Sequence, residues 1–400
     1  MKKILLIMPY GSVGGMERLA LNFYNHYSKQ NYEVKALKII RLKDDIISFG
    51  NDEIALSEID FSEMSSSQRL KFYFKAPMMI RKIIKENQIT HSISFGDMAN
   101  FFSSLSFTNE HKVASIHALK SVELINKSFF NTISKISYKS TYYFFDKVVC
   151  ISDAIKKDLI ENCGFAFKQK LKVIYNPHDI ENIEFLSNIP IESEDEKQIF
   201  NNDVIVFLGR FSFQKSPWHL IKAFSLIEKK HQNLKLVFIG DGDSNVESYL
   251  QDLILKLKIS DKVFFLGRKS NPYQYLKKSK ILALSSNYEG TPNVIVESIA
   301  CEVPVVSSNC TDGIIELMSL GEMKKIDNLL ETESGFITPN FFKGVLAIPN
   351  NDEITSEEKD FAQALELILL DEKYKQKLLR HKVELLSKFD LKIVTKAYLD

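Results

Sequence analysis

Residues 3–40 are KILLIMPYGSVGGMERLALNFYNHYSKQNYEVKALKII. The apolar run Lys3–Met8 predicts a buried strand, Gly11–Gly15 predicts a loop, and the spacing of apolar residues in Met16–Lys29 predicts a helix. Tyr32–Ile40 predicts the next strand. A strand, a loop, a helix and a second strand in this order favour a parallel sheet with right-handed crossover connections.

The same alternation continues along the chain with one interruption, the polar and acid-rich stretch 188–202, which predicts a linker. Further strands are predicted at 89–94, 112–116, 147–151, 172–175, 204–208, 235–239, 263–266, 281–285 and 303–307. Further helices are predicted at 218–230, 246–257, 293–300, 361–369 and 374–387. We therefore expect two doubly wound α/β domains, 1–188 and 203–385, with 386–400 packing back on the first. In open sheets of this kind, ligands bind outside the carboxyl ends of the strands.

Composition excludes several classes of protein. The chain has 400 residues, 45% of them hydrophobic, with 52 basic against 51 acidic residues and a formal net charge of +1. This composition is globular, and the even charge balance argues against blanket nucleic-acid binding. Four cysteines without a CxxC pair predict reduced thiols and a cytoplasmic protein. The first apolar run is too short for a signal peptide, and no apolar window is long enough to span a membrane.

The glycine-rich loop Gly11–Gly15 is a candidate phosphate site, because glycines let backbone N–H groups approach a phosphate at a helix start. Its spacing is not GxGxxG, and no acid ends the second strand where a dinucleotide ribose would need one. A dinucleotide site is therefore disfavoured. A glycine turn that only packs remains an open alternative.

The most informative motif is EGTPNVIVE, Glu289–Glu297. Pro292 and Asn293 are suited to a helix start, with Thr291 as a candidate cap, so free N–H groups there would face an anion. Glu289 precedes this helix and Glu297 lies on it. A carboxylate can accept hydrogen bonds from two sugar hydroxyls at once. An ordinary solvated helix with acids near its start is the alternative.

EGTPNVIVE resembles the E-x7-E motif of the retaining glycosyltransferases of family 4, which have the GT-B fold: two Rossmann-like domains facing a central cleft. Other segments resemble this family in the same order, and together they cover nearly the whole chain. They are Gly14–Arg18 (GGMER), Val173–Pro177 (VIYNP), Gly209-Arg210 with Lys215, Gly240–Gly242 (GDG) and Phe265–Gly267 (FLG).

The resemblance implies a role for each matching residue. Arg210 and Lys215 would hold the diphosphate of a nucleotide-sugar, where two cations suit a leaving group that gains negative charge. Glu297 would bind the ribose and Glu289 the donor sugar, while Arg268 would lie near the base. The remaining nucleotide-sugar-binding positions would be Gly14, Gly15, Gly290, Thr291, Pro292, Asn293 and Val294.

Two further motifs concern the acceptor side and metal ions. His117 ends a predicted strand where the family has a histidine near the donor sugar, so the resemblance implies a hydrogen-bonding role there. Asp241-Gly242-Asp243 spells DxD, a metal signature of the other glycosyltransferase fold. With Arg210 and Lys215 on the diphosphate, we expect no metal and no other cofactor.

Two stretches rich in basic and aromatic residues, 69–85 and 120–147, suit the surface of an anionic membrane. In the first, Phe72, Tyr73 and Phe74 would insert into the bilayer. Amphipathic core helices with solvated lysines are the alternative. The stretch between Glu316 and Gly344 is longer than the family's usual connection and is a candidate lid or acceptor loop.

The resemblance implies an enzyme of surface glycan assembly: capsule, O-antigen or oligosaccharide. It would move a hexosyl or N-acetylhexosaminyl group, with retention, from a nucleoside diphosphate, with UDP expected, to a saccharide that is expected to be lipid-linked. We expect it in the cytoplasm, peripheral at the inner face of the membrane, with no nucleic-acid partner. A nucleotide-sugar 2-epimerase of the same fold and a non-catalytic nucleotide-sugar-binding protein are the alternatives.

Overall fold

The computed structural model describes residues 1–10, 15–42, 45, 47–124, 129–289, 291–321 and 323–400. The chain forms two compact units, Met1–Pro177 with Leu391–Asp400, and His178–Asp390. The boundary therefore lies before residue 178 and not at 188, and the last ten residues belong to the first unit.

The first unit contains a parallel sheet with strand order β3-β2-β1-β4-β5-β6-β7. Its strands are β1 Lys3–Met8, β2 Glu33–Ile40, β3 Glu53–Ser57, β4 His91–Phe95, β5 His111–Ile116, β6 Lys147–Cys150 and β7 Leu171–Val173. Its helices include α1 Gly15–Lys29, α2 Ser66–Glu86, α3 Asp97–Ser104, α4 Lys120–Glu123, α5 Phe129–Ser137 and α6 Asp153–Glu161. Ile4–Met8 of the central strand are fully buried, as their apolar run predicts.

The second unit contains a sheet with strand order β10-β9-β8-β11-β12-β15-β14-β13. Its strands are β8 Asp203–Leu208, β9 Leu234–Ile239, β10 Val263–Phe265, β11 Ile281–Leu284, β12 Val305–Ser308, β13 Lys324–Ile326, β14 Leu329–Glu331 and β15 Gly335–Thr338. Its helices are α7 Ile180–Ser187, α8 Glu194–Phe200, α9 Trp218–Ile227, α10 Ser244–Leu257, α11 Tyr273–Lys278, α12 Asn293–Ala300, α13 Asp312–Met318, α14 Ser356–Leu370 and α15 Lys373–Ser387.

The final helix, α16 (Leu391–Leu399), completes the core of the first unit. The Tyr398 ring packs edge-on against Phe23 of α1 at 4.8 Å. The Tyr398 hydroxyl lies 2.9 Å from the Ser115 hydroxyl on β5. The C-terminal residues thus fill a gap between α1 and the sheet.

Two segments differ from the sequence-based prediction. The predicted linker 188–202 contains α8, whose Glu196 carboxylate accepts hydrogen bonds from Lys269 and from the Tyr275 hydroxyl, both at 2.6 Å. Acids that look solvated in the sequence therefore tie this segment to the second unit. The candidate lid after Glu316 instead forms β13, β14 and β15, and the first two pair antiparallel at the sheet edge. These strands escaped prediction because they are very short.

Several aromatic side chains of the two basic stretches pack in the core, which corrects the expected insertion of Phe72 and Tyr73. Both rings pack around Phe102 of α3, at 5.8 and 5.4 Å. In the second stretch, Tyr138, Tyr142 and Phe145 are buried. The exposed apolar side chains of α2 are instead Leu70, Phe74, Met78 and Met79. Within the described ranges, no helix combines the length and apolar character needed to cross a bilayer.

Candidate active site

The central feature of the second unit is an ion pair between Lys215 and Glu289. Lys215 follows β8 and Glu289 follows β11, and these two neighbouring strands pair in parallel. The strands that follow β8 lie on one side of it in the sheet, and β12, which follows β11, lies on the other side. In doubly wound sheets a crevice forms at such a switch point. The ion pair therefore lies where this fold binds ligands.

Glu289 is held by several donors at once. Its side chain is only 7% exposed. The Ser286 hydroxyl donates to Oε1 at 2.7 Å, and Gln214 Nε2 lies 3.5 Å from Oε2. Neither Ser286 nor Gln214 was predicted from the sequence, because no motif marks them and only the fold brings them to Glu289. These contacts fix the orientation of the carboxylate beside Lys215.

Arg210 lies at the carboxyl end of β8, in a layer of loops that are hydrogen-bonded to one another. The Gly209 N–H donates to Ile239 O at 3.0 Å, and the Gly240 N–H donates to Gly267 O at 2.9 Å. This ladder places the loops after β8, β9 and β10 side by side. The Arg210 side chain is exposed and has no ion-pair partner in the described part of the chain. Its positive charge is available at the ligand edge of the sheet.

The acids of the DxD sequence have other partners. Arg268 Nε donates to Asp241 at 2.6 Å. Asp243 caps α10 by accepting the Asn245 N–H at 2.8 Å and the Val246 N–H at 3.4 Å. Across the described ranges, no group of three or more His, Cys, Asp or Glu side chains has the arrangement of a metal site. Arg268 is largely exposed, so it can leave Asp241 to meet a ligand.

Helix α12 begins at Asn293, as EGTPNVIVE predicts, but its cap differs from the prediction. The N-cap residue is Pro292, and no side chain caps the helix, so the proposed cap Thr291 is wrong. The N–H groups of Asn293 and Val294 consequently have no side-chain acceptor from the cap. An uncapped helix start of this kind is favourable for an anion.

Glu297 lies one turn into α12 and is half-buried. Near the start of the same helix, the Asn293 side chain forms a hydrogen bond with His178. Burial lowers the pKa of His178 to about 4, so this imidazole is neutral at pH 7. His178 was not predicted from the sequence, because a histidine after a proline carries no signal of its own.

His117 follows β5 in the first unit, at the carboxyl end of its sheet. The ring packs near Phe95, with centroids 6.1 Å apart, and Nε2 is enclosed without a hydrogen-bond partner among the described residues. Burial lowers its pKa to about 3, and the nearby Lys120 ammonium acts in the same direction. Lys120 is itself paired with Asp97 at 3.0 Å. His117 is thus a neutral imidazole with an enclosed Nε2 that has no hydrogen-bond partner among the described residues.

The other predicted positions divide into two groups. One group lies on or next to α12, in the same unit as Lys215 and Glu289, and consists of Thr291, Pro292, Asn293, Val294 and Glu297. Gly15 begins α1 of the first unit. Gly14 and Gly290 lie outside the described residues.

The fold agrees with that of similar proteins. Residues 13–182 match the family model Glycosyltransferase Family 4, and residues 190–381 match the model Glycosyl transferases group 1. The crystal structure of Anabaena Alr3699/HepE in complex with UDP has a TM-score of 0.73 with 18% identity, over 99% of this chain and 98% of that chain. The family models and the fold thus define a glycosyltransferase of the GT-B class.

Two relatives from Campylobacter jejuni extend over most of the chain. One is N-acetylgalactosamine-N,N'-diacetylbacillosaminyl-diphospho-undecaprenol 4-alpha-N-acetylgalactosaminyltransferase, 27% identical over 90% of this chain and 93% of the relative. The other is GalNAc-alpha-(1->4)-GalNAc-alpha-(1->3)-diNAcBac-PP-undecaprenol alpha-1,4-N-acetyl-D-galactosaminyltransferase, 25% identical over 100% of this chain and 98% of the relative. The chain belongs to the family 4 glycosyltransferases.

Proposed function

We propose that the enzyme moves a sugar from a UDP-linked donor to a lipid-linked saccharide, with retention of configuration, during assembly of a bacterial surface glycan. The observation that carries the proposal is the Lys215–Glu289 pair at the switch point of the second sheet. It places a cation and a carboxylate side by side where a sugar phosphate needs both.

The donor diphosphate would be held by Arg210 and Lys215. Negative charge develops on the diphosphate as the glycosidic bond breaks, and a preorganised cation stabilises that charge most in the transition state. Glu289 holds Lys215 in place, so little reorganisation is needed at that moment. With two cations available, no metal ion is required.

The sugar and ribose would be bound by the two acids of EGTPNVIVE. Glu289 keeps lone pairs that can accept hydroxyl donors from the donor sugar, because each carboxylate oxygen can accept more than one hydrogen bond. Glu297 would accept from the ribose, and the uncapped start of α12 would face a phosphate. Arg268 would lie over the base.

UDP is favoured as the nucleotide because the Anabaena neighbour is solved with UDP. Retention is favoured by the resemblance of EGTPNVIVE to the motif of the retaining family, and the contacts of Glu289 argue against a covalent intermediate on this residue. A carboxylate whose negative charge is stabilised by Lys215, Ser286 and Gln214 is a poor nucleophile. Attack of the acceptor on the face that the leaving phosphate departs from, with that phosphate taking the proton, gives retention without an enzyme nucleophile.

His117 would bind a sugar hydroxyl and would not act as the base. An imidazole whose pKa is about 3 is too weak a base to remove a hydroxyl proton near pH 7. Its unpartnered Nε2 is suited to a single hydrogen bond, which would orient the substrate.

The lipid-linked acceptor is favoured by the names of the two Campylobacter relatives, which include undecaprenol diphosphate. The exposed row Leu70, Phe74 and Met78 on α2 also favours a peripheral position at the membrane. These side chains are spaced by four residues, so they lie on one face of the helix. Lys71 and Lys75 flank them, as in helices that lie in a bilayer interface.

The test is a panel of UDP-sugars, each incubated with the enzyme with and without a diphospholipid-linked saccharide. We expect UDP release that depends on the acceptor, and an α-linked product by NMR. Conversion of the donor sugar without any acceptor would instead indicate the 2-epimerase. Tight nucleotide binding with no turnover on any acceptor would indicate a non-catalytic binding protein and would overturn the proposal.

A further inference from the structure

Ser216, the residue after Lys215, has an unusual backbone conformation. Its φ is 37°, in the left-handed region that residues other than glycine rarely adopt, and the residue is fully buried. A conformation of this kind is unfavourable in isolation and persists only where the surrounding structure imposes it. At Ser216 the surrounding structure includes the loop that follows β11.

Ser216 and Ser285 exchange hydrogen bonds between the loops after β8 and β11. Ser285 directly follows β11 and is also fully buried. The Ser216 hydroxyl donates to Ser285 O at 2.8 Å, and the Ser285 hydroxyl donates in return to Ser216 O at 3.1 Å. We call this reciprocal pair the serine clasp. It joins the two loops that carry Lys215 and Glu289, at a point next to the lysine.

The serine clasp also holds the main chain of Lys215. The Ser285 hydroxyl lies 3.3 Å from Lys215 O, and the Lys215 N–H donates to the Ser212 hydroxyl at 3.3 Å. The lysine side chain passes close to Gly209, where an added Cβ would lie 3.8 Å from the lysine Cε. Lys215 is therefore held at its N–H, at its carbonyl and along its side chain before it reaches Glu289.

Serine at position 216 favours the contact with β11 over an unstrained backbone. A glycine would adopt the same φ without strain, but it would lack the hydroxyl that donates to Ser285 O. Proteins break a local conformational rule of this kind most often at functional sites, where the strained residue organises its neighbours. The neighbour of Ser216 is the cation that would meet the diphosphate.

We propose that the serine clasp positions the Lys215 ammonium and thereby sets the rate of sugar transfer more than the affinity for nucleotide. Both serines are buried, and they act through Lys215 without touching the substrate. The ammonium must meet the diphosphate as negative charge develops on it, and a displacement of about 1 Å can lower the rate by about 10²-fold. The inference rests on the role proposed above for Lys215, and it adds the residues that fix this cation.

Two matched variants test the hydroxyl of Ser285. Ser285→Ala removes a hydroxyl at the carboxyl end of β11, and Ser279→Ala removes one just before the amino end of the same strand. Ser279 is likewise buried, and its hydroxyl donates to Tyr275 O at 2.9 Å. Loss of one buried hydrogen bond should lower stability in both variants.

Only Ser285→Ala should also lower kcat, measured as UDP release in the presence of acceptor. We expect a fall of about tenfold to a hundredfold, with calorimetric UDP affinity within about threefold of wild type. Ser279→Ala should turn over at the wild-type rate. Equal kcat values for Ser285→Ala and Ser279→Ala would overturn the proposal.

Ser216→Gly separates positioning from stability. Glycine relieves the left-handed strain and removes the hydroxyl, so the urea midpoint should stay close to that of wild type although kcat falls. Lys258→Gly is the matched control, because Lys258 is an exposed left-handed residue, with a φ of 59°, at the end of α10. Relief of strain there should leave kcat unchanged. Wild-type turnover by Ser216→Gly would overturn the proposal.

A double-variant cycle shows whether the serine clasp acts through Lys215. Ser285→Ala is introduced into wild type and into Lys215→Met, and kcat is compared within each pair. When the ammonium is already absent, loss of the clasp should change kcat by less than about twofold, because the two residues act as one unit. A further tenfold fall, roughly the effect in wild type, would show that Ser285 supports turnover by another route and would overturn the proposal.

The same cycle is followed by urea unfolding, which does not depend on turnover. Lys215→Met should lower the unfolding midpoint less in Ser285→Ala than in wild type, because the ion pair with Glu289 is already weakened without the clasp. Equal shifts in the two backgrounds would overturn the positioning role. Unequal shifts in a protein that releases no UDP with any acceptor would support the positioning of Lys215 and overturn only the proposed function.

Discussion

The ammonium of Lys215 and the carboxylate of Glu289 form an ion pair, although 74 residues separate them in the chain. Each follows a central strand of the second sheet, and the parallel pairing of β8 with β11 brings them together. The pair holds the Lys215 ammonium in a fixed position at the end of the sheet where ligands bind.

Replacing Lys215 should reduce turnover far more than it reduces nucleotide binding. Lys215→Met keeps the length of the side chain and removes the charge that would stabilise the leaving diphosphate. We expect kcat to fall by about 10²–10³-fold, the usual effect of losing one such group. The measurement is steady-state release of UDP in the presence of acceptor.

A double variant separates catalysis from folding. Lys215→Met alone leaves the buried Glu289 carboxylate without its cation and should lower stability, whereas Lys215→Met/Glu289→Gln removes both charges and should restore it. Turnover should stay low in both. The matched control is Lys230→Met, which breaks an exposed pair with Glu366 and should change neither quantity. Recovery of turnover in the double variant would contradict the catalytic role of Lys215.

The sequence predicted the central strands and α12 closely, because continuous apolar runs and a proline before a helix are strong local signals. It did not predict the three-residue strands β13 and β14, which are too short for a period to be visible. It also placed Phe72 and Tyr73 on the wrong face of α2, since aromatic residues on an amphipathic helix look alike until the core is known.

For the site, the sequence indicated individual residues but not the contacts between them. The resemblance identified Lys215 and Glu289 separately, but nothing in the sequence shows that they touch. Ser286 and Gln214 reach Glu289 only through the packing of the loops after β8 and β11. Contacts between residues so far apart in the chain depend on tertiary structure and cannot be derived from local patterns.

Glu297 should contribute to nucleotide affinity. Hydrogen bonds to a charged group contribute roughly 1.5–3 kcal/mol, so Glu297→Ala should weaken UDP binding by about tenfold to a hundredfold. Calorimetric titration with UDP measures this directly. Glu372→Ala is a suitable control, because Glu372 is an exposed acid that pairs with Lys280. Equal affinities for wild type and Glu297→Ala would rule out the ribose assignment.

Removal of metal ions should leave turnover unchanged. Asp241 is paired with Arg268 and Asp243 caps α10, so these acids are already engaged. Turnover is compared before and after dialysis against EDTA. Asp243→Asn preserves the cap, because Asn caps helices as well as Asp does, and it should also be active. Loss of turnover on chelation that manganese restores would show that the DxD acids bind a metal.

The second unit should lose stability in mild acid through His178. Burial lowers the pKa of this imidazole from 6.5 to about 4, so between these pH values the unfolded chain binds a proton that the folded chain does not. Stability therefore falls as pH drops through this window and levels off below it, by on the order of 3 kcal/mol for this residue. His178→Gln should lack this contribution.

Fluorescence of Trp218, the single tryptophan, reports unfolding of the second unit because this side chain is buried in its core. Urea unfolding of wild type and His178→Gln is compared from pH 7.5 to pH 4 by this signal. The stability difference between the two proteins should shift in favour of the variant as the pH falls. Parallel stability curves would mean that His178 does not titrate on unfolding.

Replacing Gly240 by alanine should destabilise the second unit more than replacing Gly267, because Gly240 lies where the loops that carry Arg210 and Asp241 meet. A Cβ at Gly240 would lie 2.0 Å from the Gly209 carbonyl oxygen, and the residue has a φ of +139°. Gly267 also has a left-handed φ, +66°, but a Cβ there would meet no atom within 4 Å. Gly267→Ala should therefore cost only about 1–2 kcal/mol of backbone strain. Gly240→Ala must in addition separate the loops after β8 and β9, so we expect a loss of several kcal/mol, as for other severe steric conflicts. Urea unfolding followed by Trp218 fluorescence compares the two variants, and equal losses of stability would show that the loops are not packed as closely as this.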